Sequence, residues 1–142
     1  MTQVDFYILK PQASGDRYAL ACRIAEKAWQ QGHRVLIHTA SAEEARHVDR
    51  LLWTLHDRSF VPHGLLGAAD PQLNPVLITA GQDDGAEHDV LINLDAEVPG
   101  YFSRFSRVAE CVDHDAASRA ASRARFRFYR DRGYPLQTHD IG

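Results

Sequence analysis

Short apolar runs alternate with amphipathic stretches along this chain, and the alternation predicts its elements. Val4 to Leu9 (VDFYIL) is stopped by Lys10-Pro11 and reads as a first strand. Ser14 or Asp16 caps a following helix whose inner face is Leu20, Ala21, Ile24, Ala25 and Ala28, and Gly32 closes it. Arg34 to Thr39 (RVLIHT) is a second, β-branched strand. Ser41-Ala42-Glu43-Glu44 is a capping-box pattern, and the helix it opens carries Ala45, Val48, Leu51, Leu52 and Leu55 as its core stripe. Strand, helix, strand, helix predicts parallel pairing through right-handed crossovers.

From residue 50 to 71 the pattern becomes loop-like yet stays apolar, with Trp53, Phe60, Val61, Leu65 and Leu66. These side chains either fold back as a lid on the core or form a docking patch. Pro75 to Thr79 (PVLIT) and Asp89 to Leu94 (DVLINL) are two further strands, joined by a polar, glycine-bearing linker over 80–88 that reads as exposed and mobile. A short helix is expected near Tyr101 to Phe105 after Pro99-Gly100, then a strand at Val108 to Val112. Asp113 or Asp115 caps a C-terminal helix, and Gly133 to Gly142 reads as a docked or frayed end. The sum is one α/β domain over 1–142, with a mostly parallel central sheet and helices on both faces.

Charge changes this picture at one place. The stretch from Ala116 to Arg132, AASRAASRARFRFYRDR, holds six arginines and one acid. Removing that +5 from the net charge of −3 leaves the other residues at −8, so a basic strip sits on an acidic body. At 100° per residue Arg119, Arg123, Arg127 and Arg130 fall within an arc of roughly 80°. Ala117, Ala121, Ala124 and Phe128 fall opposite as an apolar stripe, and Phe126 and Tyr129 flank the row. A merely solvated face usually mixes glutamate with arginine, and this one has no glutamate.

With 142 residues, 44% hydrophobic and 25% charged, the composition is that of an ordinary globular protein. No apolar run approaches the ~18 residues of a membrane span, and the start MTQVDFYILKP lacks a signal layout, so the cytoplasm is expected. Cys22 and Cys111 read as buried, reduced thiols. The turn after the first strand, Lys10-Pro11-Gln12-Ala13-Ser14-Gly15-Asp16, has neither G-x-G-x-x-G nor G-x-x-x-x-G-K-[ST] and cannot surround a pyrophosphate. His56, Asp57 and His63 match no metal-ligand spacing and read as surface or loop groups. No G-x-S-x-G or paired carboxylates specify a reaction.

Five pieces in order, DFYIL at 5–9, RVLIHT at 34–39, LLWTLHDRSFVPHGL at 51–65, DVLINL at 89–94 and RFRFYRDRGYPL at 125–136, resemble the chi subunit of bacterial DNA polymerase III. The tryptophan followed by S-F-V-P-H-x-L is the most specific, and the helix ending in Y-R-x-x-G-[FY] is next. The resemblance implies a non-catalytic clamp-loader subunit, Rossmann-like but without a nucleotide site, cofactor or metal. It also implies two partners: the psi subunit, and the acidic C-terminal tail of single-stranded DNA-binding protein, which ends in an aromatic residue and a free carboxylate. Arg123 matches the centre of the tail site, with Arg119, Arg127, Arg130 and Phe126 around it. Trp53, Phe60, Val61 and Pro62 match the patch turned toward psi. Two departures stand: arginines replace lysines of the family, and 137–142 shows no match. The rival readings are a direct single-stranded nucleic-acid binder, with bases on Phe126 or Tyr129, and a small nucleotide-dependent enzyme.

Overall fold

Three runs of four residues, Val35–His38, Val76–Thr79 and Val90–Asn93, have every residue buried and lie side by side at the centre of the structure. Strands covered on both faces need no polar alternation, which is why these runs read as continuous apolar stretches. The computed structural model describes residues 1–55, 60–81 and 83–142. Its strands are Gln3–Leu9 (β1), Val35–His38 (β2), His63–Leu65 (β3), Val76–Thr79 (β4), Val90–Asn93 (β5), Arg107–Val112 (β6) and Leu136–Ile141 (β7). Its helices are Arg17–Gln30 (α1), Ala42–Thr54 (α2) and Ala116–Asp131 (α3), with one 3-10 turn at Phe102–Arg104.

All seven strands form one sheet in the order β3-β4-β2-β5-β6-β1-β7, and every pairing is parallel. Connections leaving β1 through α1 and β2 through α2 run toward one edge, whereas β6 leads through α3 to the other edge. Helices therefore cover both faces. Leu9, Ile37, Ile78, Ile92 and Cys111 pack on the α1 and α2 side. Phe6, Leu36, Leu77, Leu91 and Val108 pack on the side of α3 and the 3-10 turn. Adjacent residues such as Leu36 and Ile37 serve opposite cores, as the pleat requires.

The helix ends follow their local chemistry. Asp16 rather than Ser14 caps α1, accepting from the Ala19 N–H at 3.0 Å, and Gly32 takes φ +88° just past its end. Ser41 caps α2 by accepting from the Glu44 N–H at 3.1 Å, while the Glu44 carboxylate reaches back to the Ala40 N–H. Asp115 rather than Asp113 caps α3. Cys22 and Cys111 are buried and unpaired, and burial pushes the Cys22 thiol up to about 12.

Three expectations need correction. The C-terminal end is neither frayed nor merely docked: residues 136–141 form the edge strand β7, paired in register along β1. Residues 63–65, expected in a loop, form the opposite edge strand β3. Gly64 sits there because an added Cβ would collide with Ala69. Within the linker expected to be exposed and mobile, residues 83–88 are tied down at Asp84, which is buried and accepts from Arg104 at 2.8 Å and from the Ala86 N–H at 2.9 Å.

The docking of α3 rests on a buried acid. Glu110 on β6 is fully buried and accepts from Arg125 Nε at 2.8 Å, Tyr129 Oη at 2.6 Å and Asn93 Nδ2 at 3.0 Å. Arg125, 5% exposed, also donates from Nη1 to the Ala96 carbonyl at 3.0 Å. Burial pushes the Glu110 carboxyl up, against the opposing pull of Arg125 and the hydrogen bonds of Tyr129 and Asn93. The buried arc of α3 is thus centred on Arg125 and Tyr129. The alanine stripe does not define it: Ala117 and Ala124 are exposed, and Ala121 and Phe128 are half-buried. Tyr129, expected beside the arginine row, is wholly inside. A carboxylate on the sheet selects an arginine over small apolar side chains that bring it no hydrogen bond.

Arg125→Ala leaves a buried carboxylate without its cation and is expected to cost about 3 to 5 kcal/mol of unfolding free energy. Arg123→Ala, on the exposed face, should stay within about 0.5 kcal/mol of the parent. Urea unfolding of both variants checks this, and equal losses would show that Arg125 does not anchor the helix. Asp113 supplies a second prediction. Its burial favours the neutral acid, but the N–H groups of Arg17 and Asp115 and the Arg17 guanidinium outweigh that and hold the carboxyl below its usual range. Its stabilisation is therefore complete above the unfolded value of ~3.9 and lost as pH falls through the lower folded value. Acid unfolding curves of Asp113→Asn should lack this component of the fall in stability below about pH 4. An acid limb as steep as that of the parent would contradict it.

Candidate functional site

Because Arg125 and Tyr129 fix the rotation of α3, the opposite side of the helix is committed to solvent. Arg123, Arg127 and Arg130 are exposed and Arg119 is half-buried, one row spanning three turns. Arg130 pairs with its exposed neighbour Asp131 at 3.1 Å, a contact of small energetic weight. Arg119, Arg123 and Arg127 make no ion pair among the described residues. Arginine offers planar paired donors suited to carboxylate or phosphate, so the row presents unsatisfied forks to solvent.

Phe126 stands at the margin between this row and the core, half-buried and edge-on to Phe6 at 5.3 Å. The β1–β7 register pairs Phe6 with Thr138 and Ile8 with Asp140, placing these four on the α3 side of the sheet. Ile8 is half-buried and Thr138 exposed, because α3 lies over β6 and leaves the edge strand open. An apolar shelf of Ile8 and Phe126 therefore adjoins the arginines. Thr138 belongs to the stretch that showed no family match, and only its pairing with β1 reveals its place beside the shelf.

The second group of expected site residues divides. Trp53 and Phe60 are 57% and 60% exposed with ring centroids 5.6 Å apart, an aromatic pair open to solvent. Val61 is buried in the α2-side core and Pro62 is half-buried, its carbonyl accepting from the Val76 N–H at 3.3 Å. Of the two alternatives left open for this stretch, core lid or docking patch, Val61 takes the first, packing into the core two residues ahead of β3. His63 lies beneath the pair, 4.7 Å from the Trp53 ring. It is buried rather than superficial, with ring nitrogens bonded to the carbonyls of Val61 at 2.7 Å and Asp49 at 3.1 Å. His56 and Asp57 lie outside the described residues. No group of three potential metal ligands occurs among the described residues.

The carboxyl edge of the sheet is where open α/β folds bind ligands, at the point where connections diverge. Here that point lies between β1 and β6, flanked by the starts of α1 and α3. Asp113 accepts there from the Arg17 N–H at 3.0 Å and the Asp115 N–H at 3.2 Å, beside an open cavity of about 150 Å³ bordered by Arg17, Leu94, Cys111 and Asp115. No helix among the described residues is long and apolar enough to cross a membrane.

The chain matches the family model described as DNA polymerase III chi subunit, HolC, over residues 1–137. It is 45% identical over 141 residues to the DNA polymerase III subunit chi of Pseudomonas aeruginosa strain PAO1, covering 99% of this chain and 98% of that protein. The corresponding subunit of Haemophilus influenzae strain Rd is 33% identical, with 96% of each chain covered. That of Escherichia coli K12 is 31% identical, with 97% of each covered. Among solved structures, the crystal structure of T4 UvsW superposes with a TM-score of 0.66 at 8% identity, covering 99% of this chain and 41% of that one, a likeness of fold alone. By family match and by three relatives aligned almost end to end, the chain belongs to the DNA polymerase III chi subunit family.

Proposed function

We propose that this chi subunit is an adaptor that takes the acidic C-terminal tail of single-stranded DNA-binding protein on α3 and docks to psi through Trp53 and Phe60. The observation carrying the first half is the row Arg119, Arg123, Arg127: three guanidiniums on successive turns with no ion pair among the described residues, beside the half-buried rings and methyls of Phe126 and Ile8. An anionic chain end that closes on an aromatic residue needs both halves of that surface. The forks meet the carboxylates, and the shelf receives the ring. A disordered tail loses entropy on binding and exposed charges are screened, so the affinity is modest and falls with salt.

The exposed Trp53–Phe60 pair supports the second half. Solvent-facing aromatics in contact are typical anchors of a protein interface, and the buried His63 beneath holds Trp53 in place. Nucleic acid on α3 is less well supported, since of the two rings offered for stacking Tyr129 is fully buried and Phe126 is half-buried against Phe6.

Fluorescence anisotropy with a labelled acidic peptide ending in an aromatic residue tests the tail site. Arg123→Ala is expected to weaken binding roughly tenfold, the scale of one charged hydrogen-bonded contact. A peptide lacking the last residue should bind barely at all. Equal affinity for parent and variant would remove Arg123 from the site, and full retention by the shortened peptide would reduce the interaction to plain charge attraction. For psi, Trp53→Ala is expected to weaken complex formation by about 2 kcal/mol, measured by calorimetry. Unchanged affinity in a variant that keeps its fold would place the interface elsewhere.

A further inference from the structure

On the α1 side of the sheet, the helix packs chiefly over β2, β5 and β6, and Leu9 near the end of β1 joins the same core. Between the helix and Tyr7 on β1 runs a trough of about 290 Å³. Ala109 of β6 helps form its floor, Ile24 and Ala28 of α1 one wall, and Tyr7 of β1 the other. Lys27 and Arg107 line it as well and bring the charge. It opens at the amino-terminal end of the sheet, since Arg107 begins β6 and the last turn of α1 borders it. That is the end opposite Asp113.

The Tyr7 ring is held by construction. His139, its partner in the β1–β7 register, stacks on one face at 4.8 Å and 17°. His139 is in turn fixed through Nε2 to Asp5 Oδ1 at 3.1 Å, and Arg107 Nε stands 3.4 Å from Oδ2 of the same buried carboxylate. Asp5 thus orients the aromatic wall and one cation together. Arg107 remains 53% exposed, so its outer edge is open at the rim. Lys27 is exposed and has no ion pair among the described residues. His33, beside it, is engaged by Asp89 at 3.1 Å.

We infer that this trough admits one unpaired base of single-stranded DNA, its ring against Tyr7 and its flanking phosphates at Lys27 and Arg107. A slot with an aromatic wall, an aliphatic wall and a small-residue floor selects a flat ring, and cations on the rim select phosphate on both sides of it. The volume lies at the lower end of ligand pockets, roughly 300 to 1,000 Å³, which suits one nucleotide rather than two. A free nucleotide would need its phosphates cradled by several backbone amides, and the turn at the rim offers the single glycine Gly32 between Gln31 and His33 rather than a glycine-rich loop. A strand whose phosphates continue past the base needs only the two rim cations. The setting also favours a strand, because the family is a subunit of a DNA polymerase.

The test is anisotropy of a labelled oligodeoxythymidylate on the full chain at low salt, with Lys27→Glu, Tyr7→Leu and Arg123→Ala in parallel. Lys27→Glu, at an exposed helix position, should weaken binding roughly fivefold or more, and Tyr7→Leu by a similar factor, the scale of one stacked base. Arg123→Ala should leave the oligonucleotide affinity unchanged, and Lys27→Glu should leave binding of the acidic peptide unchanged, which separates this site from the α3 row. No binding by the parent chain at low salt overturns the inference. So does oligonucleotide binding that is lost with Arg123→Ala and kept with Lys27→Glu. Thymidine monophosphate competing as strongly as the oligonucleotide would also overturn it, by making the trough a mononucleotide site.

Discussion

One buried acid sets the orientation of everything this chain shows to its surroundings at α3. Glu110 has no exposure, and its hydrogen bonds come from Arg125, Tyr129 and Asn93. A carboxylate in such a place costs several kcal/mol in desolvation and persists only where cation and hydroxyl meet it in fixed geometry. That requirement allows α3 a single rotation about its axis. With Arg125 inside, the arginines at 119, 123, 127 and 130 have only the outside. The ion pair adds little net stability against an apolar equivalent, and its contribution is to specify which face is displayed.

The rest of the architecture supplies what that display needs. The parallel sheet carries α3 on one face and leaves β7 as an edge beside it, so the arginine row borders half-buried Ile8 and Phe126. Toward the opposite edge, just ahead of β3, Val61 is buried while Trp53 and Phe60 remain outside. The two candidate surfaces thus sit toward opposite margins of one rigid sheet, a layout suited to holding two proteins at once. At the carboxyl edge of the sheet Asp113 ties the starts of α1 and α3 together through the N–H groups of Arg17 and Asp115.

Much of the fold was legible in the sequence because central parallel strands are continuous apolar runs and helix starts carry explicit caps. RVLIHT, PVLIT and DVLINL were readable for the first reason and Ser41 for the second, while Asp16 and Asp115 were each one of two candidates that the structure separates. The edge strands were not. HGL is three residues long, and LQTHDI is two-thirds polar because one edge and much of both faces meet water. The arginine row was visible from its spacing, but its buried counterpart was hidden. Arginine is read as a surface residue by type, and only the pairing of β6 against α3 reveals Glu110 waiting for it. The trough beside Tyr7 had no signal either, since Asp5, Arg107 and His139 lie far apart along the chain and meet only through the strand register.

The most direct measurement follows the guanidinium Nε–Hε resonances of the arginine-labelled protein by NMR while an acidic peptide ending in an aromatic residue is titrated in. The signals of Arg119, Arg123 and Arg127 are expected to move together with peptide concentration. Arg125, locked to Glu110, should stay where it is. Movement of Arg125 with the outer row unmoved, or shifts confined to the surroundings of Trp53, would contradict the account.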